Sequence, residues 1–306
     1  PELAEFDIRN KNGTFGKAKL KTALKATADS AVVPEIYKDE YDALIFVTYM
    51  YYPAYFGARE AYEKAYFIPT AHEEEPIHMD IFRELFNRVK GIIYLTDEEK
   101  ALANHLFANE KVPSRVLGMG IEVPDSPGAS GFRQKYHIAG DYILYAGRID
   151  ENKGCKELID YFLRWKKESG SPVKLLLMGK AFFDIPKDDD IQYIGFVPDE
   201  DKYAGMQQAK VICLPSKYES FSISLLEGMA YGHPALVNAG CDVLKGHIQK
   251  SGGGIAYGNY REFADGLTCL ISDAGNSMGE KAQEYVRKKY SWAAIEKEML
   301  DFLELI

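Results

Sequence analysis

The sequence predicts an α/β protein of two domains, each a parallel sheet flanked by helices. Two observations predict it. From residue 43 onward, short apolar runs rich in β-branched and aromatic residues alternate with segments of helical period, as in strand–helix–strand units. Midway, the Gly-, Pro- and Ser-rich stretch 118–140 (GMGIEVPDSPGASGFRQKYHIAG) breaks the alternation, as a crossing between domains does. The 306 residues fit two domains at roughly 150 residues each, and 46% apolar content supplies two cores.

The chain opens at Pro1 and shows no buried-strand pattern in its first 28 residues, so a further segment is expected to precede it. Residues 8–28 carry Arg9, Lys11, Lys17, Lys19, Lys21 and Lys25 without an anion, and Lys17–Ala28 is compatible with a helix. A solvated basic face is the plainer reading; peripheral contact of residues 9–25 with an anionic membrane or acceptor is the sharper one. Strands are expected at Ala43–Thr48, Tyr66–Pro69, Gly91–Leu95 and Arg115–Gly118. Asp80–Val89 places Ile81, Leu85 and Val89 on one helical stripe. Thr96 followed by Glu99 reads as a capping box for a helix through Ala108. Beyond the crossing, strands are expected near 142–146, 173–178, 191–194, 210–214 and 235–237. A helix over Cys155–Lys167 should bury Leu158, Ile159, Phe162 and Leu163, and two helices, about 276–289 and 291–306, close the chain. The expected division is 1–130, 131–285 and a final segment 286–306.

Several classes are excluded. The chain has 37 basic and 46 acidic residues, a net charge of −9 that argues against nucleic acid as a partner. No apolar run approaches the roughly 18 residues needed to span a bilayer. Cys155, Cys213, Cys241 and Cys269 stand far apart, which fits reduced thiols in a cytoplasmic protein and gives no zinc-site spacing. His72–Glu73 lacks the second histidine of H-E-x-x-H, since Pro76 stands there, and no phosphate-binding P-loop or G-x-G-x-x-G occurs. Asp188-Asp189-Asp190 contains a formal D-x-D, but before a strand, where a solvated turn is the better reading.

Ligands of open parallel sheets bind beyond the carboxyl ends of the strands. After strand 142–146, YAGRIDENKG sets Gly147, Arg148, Lys153 and Gly154 on a loop leading into a helix, a place suited to an anion. An ordinary charged surface loop is the alternative. After strand 210–214, Glu219 precedes a helix expected to start near Ser220, and Glu227 lies two turns inside it. The N–H groups of Ser222, Ile223 and Ser224 there suit a phosphate, Glu219 the hydroxyls of an attached sugar, and Glu227 a ribose diol. Helix capping and a solvent-facing charge are the plainer roles for the two glutamates. In the first half, Tyr49, Tyr51, Tyr52, Tyr55 and Phe56 follow a strand end, where aromatics either stack on sugars or pack a core. His72 follows strand 66–69 and faces the other site if the two domains face each other.

These residues carry a resemblance. E-S-F-S-I-S-L-L-E, with its glutamates eight apart, resembles the E-x7-E motif of retaining GT-B glycosyltransferases of the family-4 kind. YAGRIDENKG is similar to that family's G-R…K-G loop facing the donor pyrophosphate. Gly195-Phe196-Val197 with the helix from Pro198 to Gln208 is similar to its base-holding element, and the Tyr290–Trp292 helix to its C-terminal segment, which crosses back onto the first domain. The resemblance implies a GT-B fold: two Rossmann-like domains facing across a cleft, the first incomplete. It implies sugar transfer from a UDP- or GDP-sugar to a glycan, lipid-linked or small-molecule acceptor, with retention and with neither cofactor nor metal. In that scheme Arg148 and Lys153 take the diphosphate charge. Gly147, Gly179, Phe196, Val197, Ser222, Ile223 and Ser224 line the donor, Glu219 orients its sugar, Glu227 fixes the ribose and His72 lies beside the transferred sugar. Tyr49, Tyr51 and Tyr52 flank the acceptor. Ser220 and Ser222 stand where the family usually has glycine, and nothing before residue 43 matches its opening strand and glycine-rich loop. A protein that binds the nucleotide sugar without transferring it, or another GT-B enzyme such as an epimerase, are the alternatives.

Overall fold

The computed structural model describes residues 41–303 apart from 126 and 128–130, so the basic segment 9–25 lies outside the described residues. Two parallel sheets organise the chain. The first is β1 (Leu44–Val47), β2 (Ala65–Ile68), β3 (Gly91–Tyr94) and β4 (Ser114–Val116), ordered β1-β2-β3-β4. The second holds β5 (Tyr142–Ala146), β6 (Lys174–Met178), β7 (Ile191–Tyr193), β8 (Val211–Leu214), β9 (Ala235–Asn238) and β10 (Gly254–Tyr257) in the order β10-β9-β8-β5-β6-β7. Helices cover both faces of this second sheet, which is why VICL of β8 and ALVN of β9 are buried at every residue.

In the first half, α1 (Arg83–Arg88) follows a 3-10 turn at Asp80–Phe82, and α2 is Asp97–Phe107. The apolar stripe there differs from the expected one. Phe82, Leu85, Phe86 and Val89 are buried at helical spacing, whereas Ile81 is 54% exposed, because the tighter turn rotates it outward. In the second half come α3 (Phe132–Lys135), α4 (Cys155–Ser169), α5 (Asp199–Gln207), α6 (Ile223–Ala230), α7 (Asp242–Ser251), α8 (Tyr260–Leu270) and α9 (Asp273–Lys289). On α4 the buried set is Leu158, Ile159, Phe162 and Trp165; the i+3 neighbour Trp165 takes the core position expected of Leu163, which is half-buried. Sequence reading missed β10, α7 and α8. Glycines crowd β10, and no side chain caps α7. For α8 a signal existed: Asn259 accepts from the Glu262 N–H and Glu262 from that of Gly258, a capping arrangement in N-Y-R-E.

The final helix, α10 (Trp292–Phe302), returns to the first sheet, where Phe302 packs edge-on against Tyr66 with centroids 5.6 Å apart. At the outward crossing the Ile121 N–H donates to the Tyr290 carbonyl at 2.7 Å. Gly118, at φ +78°, lies under the Tyr290 ring, where a Cβ would stand 2.5 Å from a ring carbon. Among the described residues no helix is long and apolar enough to cross a membrane.

Candidate active site

The strand order of the second sheet reverses between β5 and β8, the crevice where doubly wound sheets take ligands. The loops leaving these two strands are the two singled out in the sequence. Here they line a cavity of about 400 Å³ with Gly147, Arg148, Lys153, Glu219, Ser222, Ile223 and Ser224 on its wall. It shares Gly147, Arg148, Ile223 and Ser224 with a second cleft of about 760 Å³, lined also by Gly179, Phe196, Val197, Lys202 and Glu227. All the expected donor residues therefore fall on two adjoining cavities. The backbones of the loops after β5 and β6 meet at Gly179: at φ +135° a Cβ would lie 1.8 Å from the Gly147 carbonyl oxygen, so only glycine permits this approach.

The charges are already partnered. Lys153 Nζ donates to Glu219 Oε1 at 2.7 Å and to the Tyr218 carbonyl at 3.3 Å. Arg148 pairs through Nε with Asp150, and its side chain is half exposed. Asp150 also accepts from the Lys153 N–H at 2.7 Å, fixing the bend of the loop. Glu227 is buried, against the reading as a solvent-facing charge; its Oε1 accepts from Lys202 Nζ and from the Tyr203 hydroxyl, each at 2.9 Å. Lys202 and Tyr203 were missed, although α5, which carries them, was part of the expected base-holding element. Phe196 is 84% exposed on the cleft wall, an open aromatic face.

The helix begins later than the sequence suggested. Ser222 adopts φ +65°, ψ +68°, a left-handed conformation that no right-handed helix continues, so α6 starts at Ile223 and Glu227 lies about one turn inside it. A helix leaves its first N–H groups without internal partners, and those of Ile223 and Ser224 belong to residues on the wall of both cavities. The Ser222 hydroxyl is buried with no hydrogen-bond partner among the described residues.

The first half supplies the facing wall. His72, Glu73, Glu98 and Glu99 line a cavity of about 200 Å³ together with Lys217, Tyr218, Glu219 and Asp242 of the second half, so His72 and Glu219 share one chamber. Glu74 lies 3.6 Å from His72 Nε2 and accepts from the Tyr49 hydroxyl at 2.9 Å. Tyr49 is fully buried with its ring edge-on to Phe82, and burial, with Glu74 adding, raises its hydroxyl pKa. The expectation that Tyr49 flanks the acceptor is corrected accordingly: its ring has no face to offer, because the strand end turns it into the core. Tyr51 is 41% exposed, and Tyr52 stacks on Phe56 with centroids 4.5 Å apart. Asp188 and Asp190 lie elsewhere, in a turn where the Asp190 N–H donates to Asp188 and Lys166 pairs with Asp190.

The profile of the family described as Glycosyl transferases group 1 matches residues 132–292. The chain is 24% identical over 199 residues to mannosylfructose-phosphate synthase of Agrobacterium fabrum, covering 56% of this chain and 42% of that protein. It is 26% identical over 168 residues to O-antigen chain mannosyltransferase B of Escherichia coli, covering 50% and 44%. The match thus spans less than half the length of either relative. Among solved structures, Anabaena HepE in complex with UDP and glucose superposes with a TM-score of 0.74 at 17% identity, over 90% of this chain and 81% of that one. Sucrose-phosphate synthase of Thermosynechococcus elongatus gives 0.72 at 16% identity, over 95% and 80%. At such identities the structural likeness speaks to fold alone.

Proposed function

The chain belongs to the glycosyl transferases group 1 family and has the GT-B fold, and from that premise we propose that it transfers a sugar from a nucleoside-diphosphate sugar to a hydroxyl acceptor with retention of configuration. The observation that carries this reading is the convergence of Arg148, Lys153, the N-terminus of α6 and Glu219 on one cavity at the sheet's switch point. The complex of HepE with UDP and glucose lends it support at the level of ligand class.

In this reading the bond between the anomeric carbon and the diphosphate oxygen breaks, and its electron pair leaves on the diphosphate. Arg148, Lys153 and the N–H groups at Ile223 and Ser224 stabilise that charge as it forms, the kind of preorganised electrostatics that contributes most to many enzymes. The acceptor oxygen bonds to the same face, and its proton passes to the departing diphosphate. Glu219 orients the donor sugar and offsets positive charge at the anomeric carbon. Its pairing with Lys153 would tie sugar and phosphate positions together, since the ammonium bound to Glu219 is also the one assigned to the diphosphate. Glu227 holds the ribose, Phe196 offers its exposed face to the base, and the acceptor enters between His72 and the Tyr51–Tyr52 wall. The charge is handled by side chains of this chain, so turnover should persist in excess chelator.

Kinetics on a panel of UDP- and GDP-sugars test the assignment. Glu219→Gln should lower kcat by about a hundredfold with little change in diphosphate affinity, the signature of an interaction made in the transition state. Glu227→Ala, Arg148→Ala and Lys153→Ala should each weaken binding of the bare nucleoside diphosphate by about tenfold or more. Full turnover in Glu219→Gln on every active donor would refute the catalytic account. A chain that binds donors yet forms no product with any acceptor would be a nucleotide-sugar-binding protein instead.

A further inference from the structure

The left-handed Ser222 needs an explanation, because a non-glycine residue holds such a conformation only where its surroundings dictate it. The peptide entering Ser222 is gripped from behind the cavity. The Phe221 carbonyl accepts from His247 Nε2 at 3.0 Å, and the Phe221 ring stands edge-on to Tyr290 with centroids 5.2 Å apart. His247 sits on α7, 2% exposed, and burial pushes its pKa down to about 4, which keeps the ring neutral. A carbonyl can only accept, so Nε2 carries the single ring proton and Nδ1 is an acceptor. The Tyr285 hydroxyl, 3.0 Å from Nδ1, therefore donates to it and in turn accepts from the Tyr290 hydroxyl at 3.1 Å. Tyr290 closes the series, since its carbonyl holds the Ile121 N–H at the crossing between the halves. A directed run of hydrogen bonds thus leads from the Tyr290 hydroxyl to the loop bearing Glu219, and the backbone of the same tyrosine is tied to the crossing.

We infer that His247 is a positioning residue: its Nε2–H fixes the Phe221–Ser222 peptide, and with it the placement of Glu219 and the N-terminus of α6. In its consequence for donor binding this rests on the site reading given above. His247 touches no reacting atom; it acts through the loop. The side chain was not singled out in the sequence, because its partners lie 26 and 38 residues away, with no local pattern joining them.

The test compares His247→Leu, which removes the N–H, with His247→Gln, whose amide N–H reaches the same place, and Tyr285→Phe, which removes the hydroxyl that holds the ring at Nδ1. Backbone hydrogen exchange on the full chain, followed by mass spectrometry, reads the loop without any ligand. Exchange should quicken at residues 220–226 in the leucine and phenylalanine variants and return to the parent rate in the glutamine variant, with β5 and α4 unchanged. Should the leucine variant fail to fold, the Tyr285→Phe comparison stands alone. Quickening spread evenly over the second half, or none at 220–226, would overturn the inference. Calorimetry with UDP and GDP adds the functional arm: affinity should fall by about tenfold in His247→Leu and recover in His247→Gln, given what an unmade buried hydrogen bond costs. If the parent binds a diphosphate and the leucine variant binds it equally well, the positioning role is refuted. If the parent binds neither, the donor reading fails, and the exchange rates decide the positioning role by themselves.

Discussion

Glu99 stands at the start of α2, buried, its carboxylate accepting from the N–H groups of Leu95 and Ala71 at 2.6 Å each. Burial pushes its pKa up to about 8, with the backbone donors pulling the other way. Between its ordinary value of 4.5 and about 8, the folded chain therefore holds a proton that the unfolded chain has released, and stability falls as pH rises. His247 has the opposite slope. Its pKa is lowered from 6.5 to about 4 by burial, with Lys250 and Lys289 also disfavouring the charged ring, so its contribution is lost as pH falls through that range. The two offset each other between about 4.5 and 6.5, and above that range Glu99 acts alone. Denaturant melts should show stability declining from pH 6.5 to 8 by a few kcal/mol at most, on the order of 1.4 per pKa unit, and Glu99→Gln should abolish the decline. A flat profile in the parent chain would show that Glu99 remains ionised. The Thr96–Glu99 capping pair was legible and half of it formed as expected, with Thr96 accepting from the Glu99 N–H at 3.1 Å. The burial of Glu99 was not, because its second donor, Ala71, lies 28 residues away.

At the scale of elements, the loops after β5 and β6 form the floor of the cleft proposed for the donor only because their backbones touch at Gly179. Gly179→Ala should cost about 2–4 kcal/mol, from a clash with backbone that cannot yield and a left-handed φ at a residue with a Cβ. Nucleoside diphosphate binding should go with it. A melt within about 0.5 kcal/mol of the parent would mean that the two loops part easily. Here the sequence was informative where period and spacing operate: among the described residues nine of the ten strands, α4, and the glycine-bounded loop were read to within a few residues. It misled where geometry departs from the regular. The 3-10 turn at Asp80–Phe82 moved the apolar stripe from Ile81 to Phe82, and the backbone of Ser222 delayed α6 by a turn. Neither departure has a compositional mark, since serine at a left-handed position looks like serine anywhere.

The two halves of the molecule also meet away from the crossing. Lys250 of α7 reaches Asp97 at 2.7 Å and both carboxylate oxygens of Glu98, at 2.9 and 3.1 Å, on α2. These are partly exposed pairs, so Lys250→Ala should cost less than about 1 kcal/mol, and less still at high salt. Melts at low and high ionic strength check this; a larger, salt-independent loss would make the contact a structural keystone. That the chain builds two parallel sheets was legible in the strand–helix alternation on either side of 118–140. How the halves touch was not, for Lys250 and Glu98 lie 152 residues apart with nothing in either segment to announce the other.

The outward crossing near Gly118–Ile121 and the return at Tyr290–Trp292 lie side by side, joined by the bond from Ile121 to Tyr290 and by the Trp292 ring against Gly120. A body held to another by a single strand of chain can swivel and twist; two adjacent strands, laced together, leave one easy rotation, about the line they share. For this chain that line runs past Tyr290, where the hydrogen bonds toward Phe221 begin. A swing of one half against the other about that line would turn on the same residue that the Glu219 loop hangs from. Tyr290 thus belongs at once to the seam between the halves and to the support of the Glu219 loop.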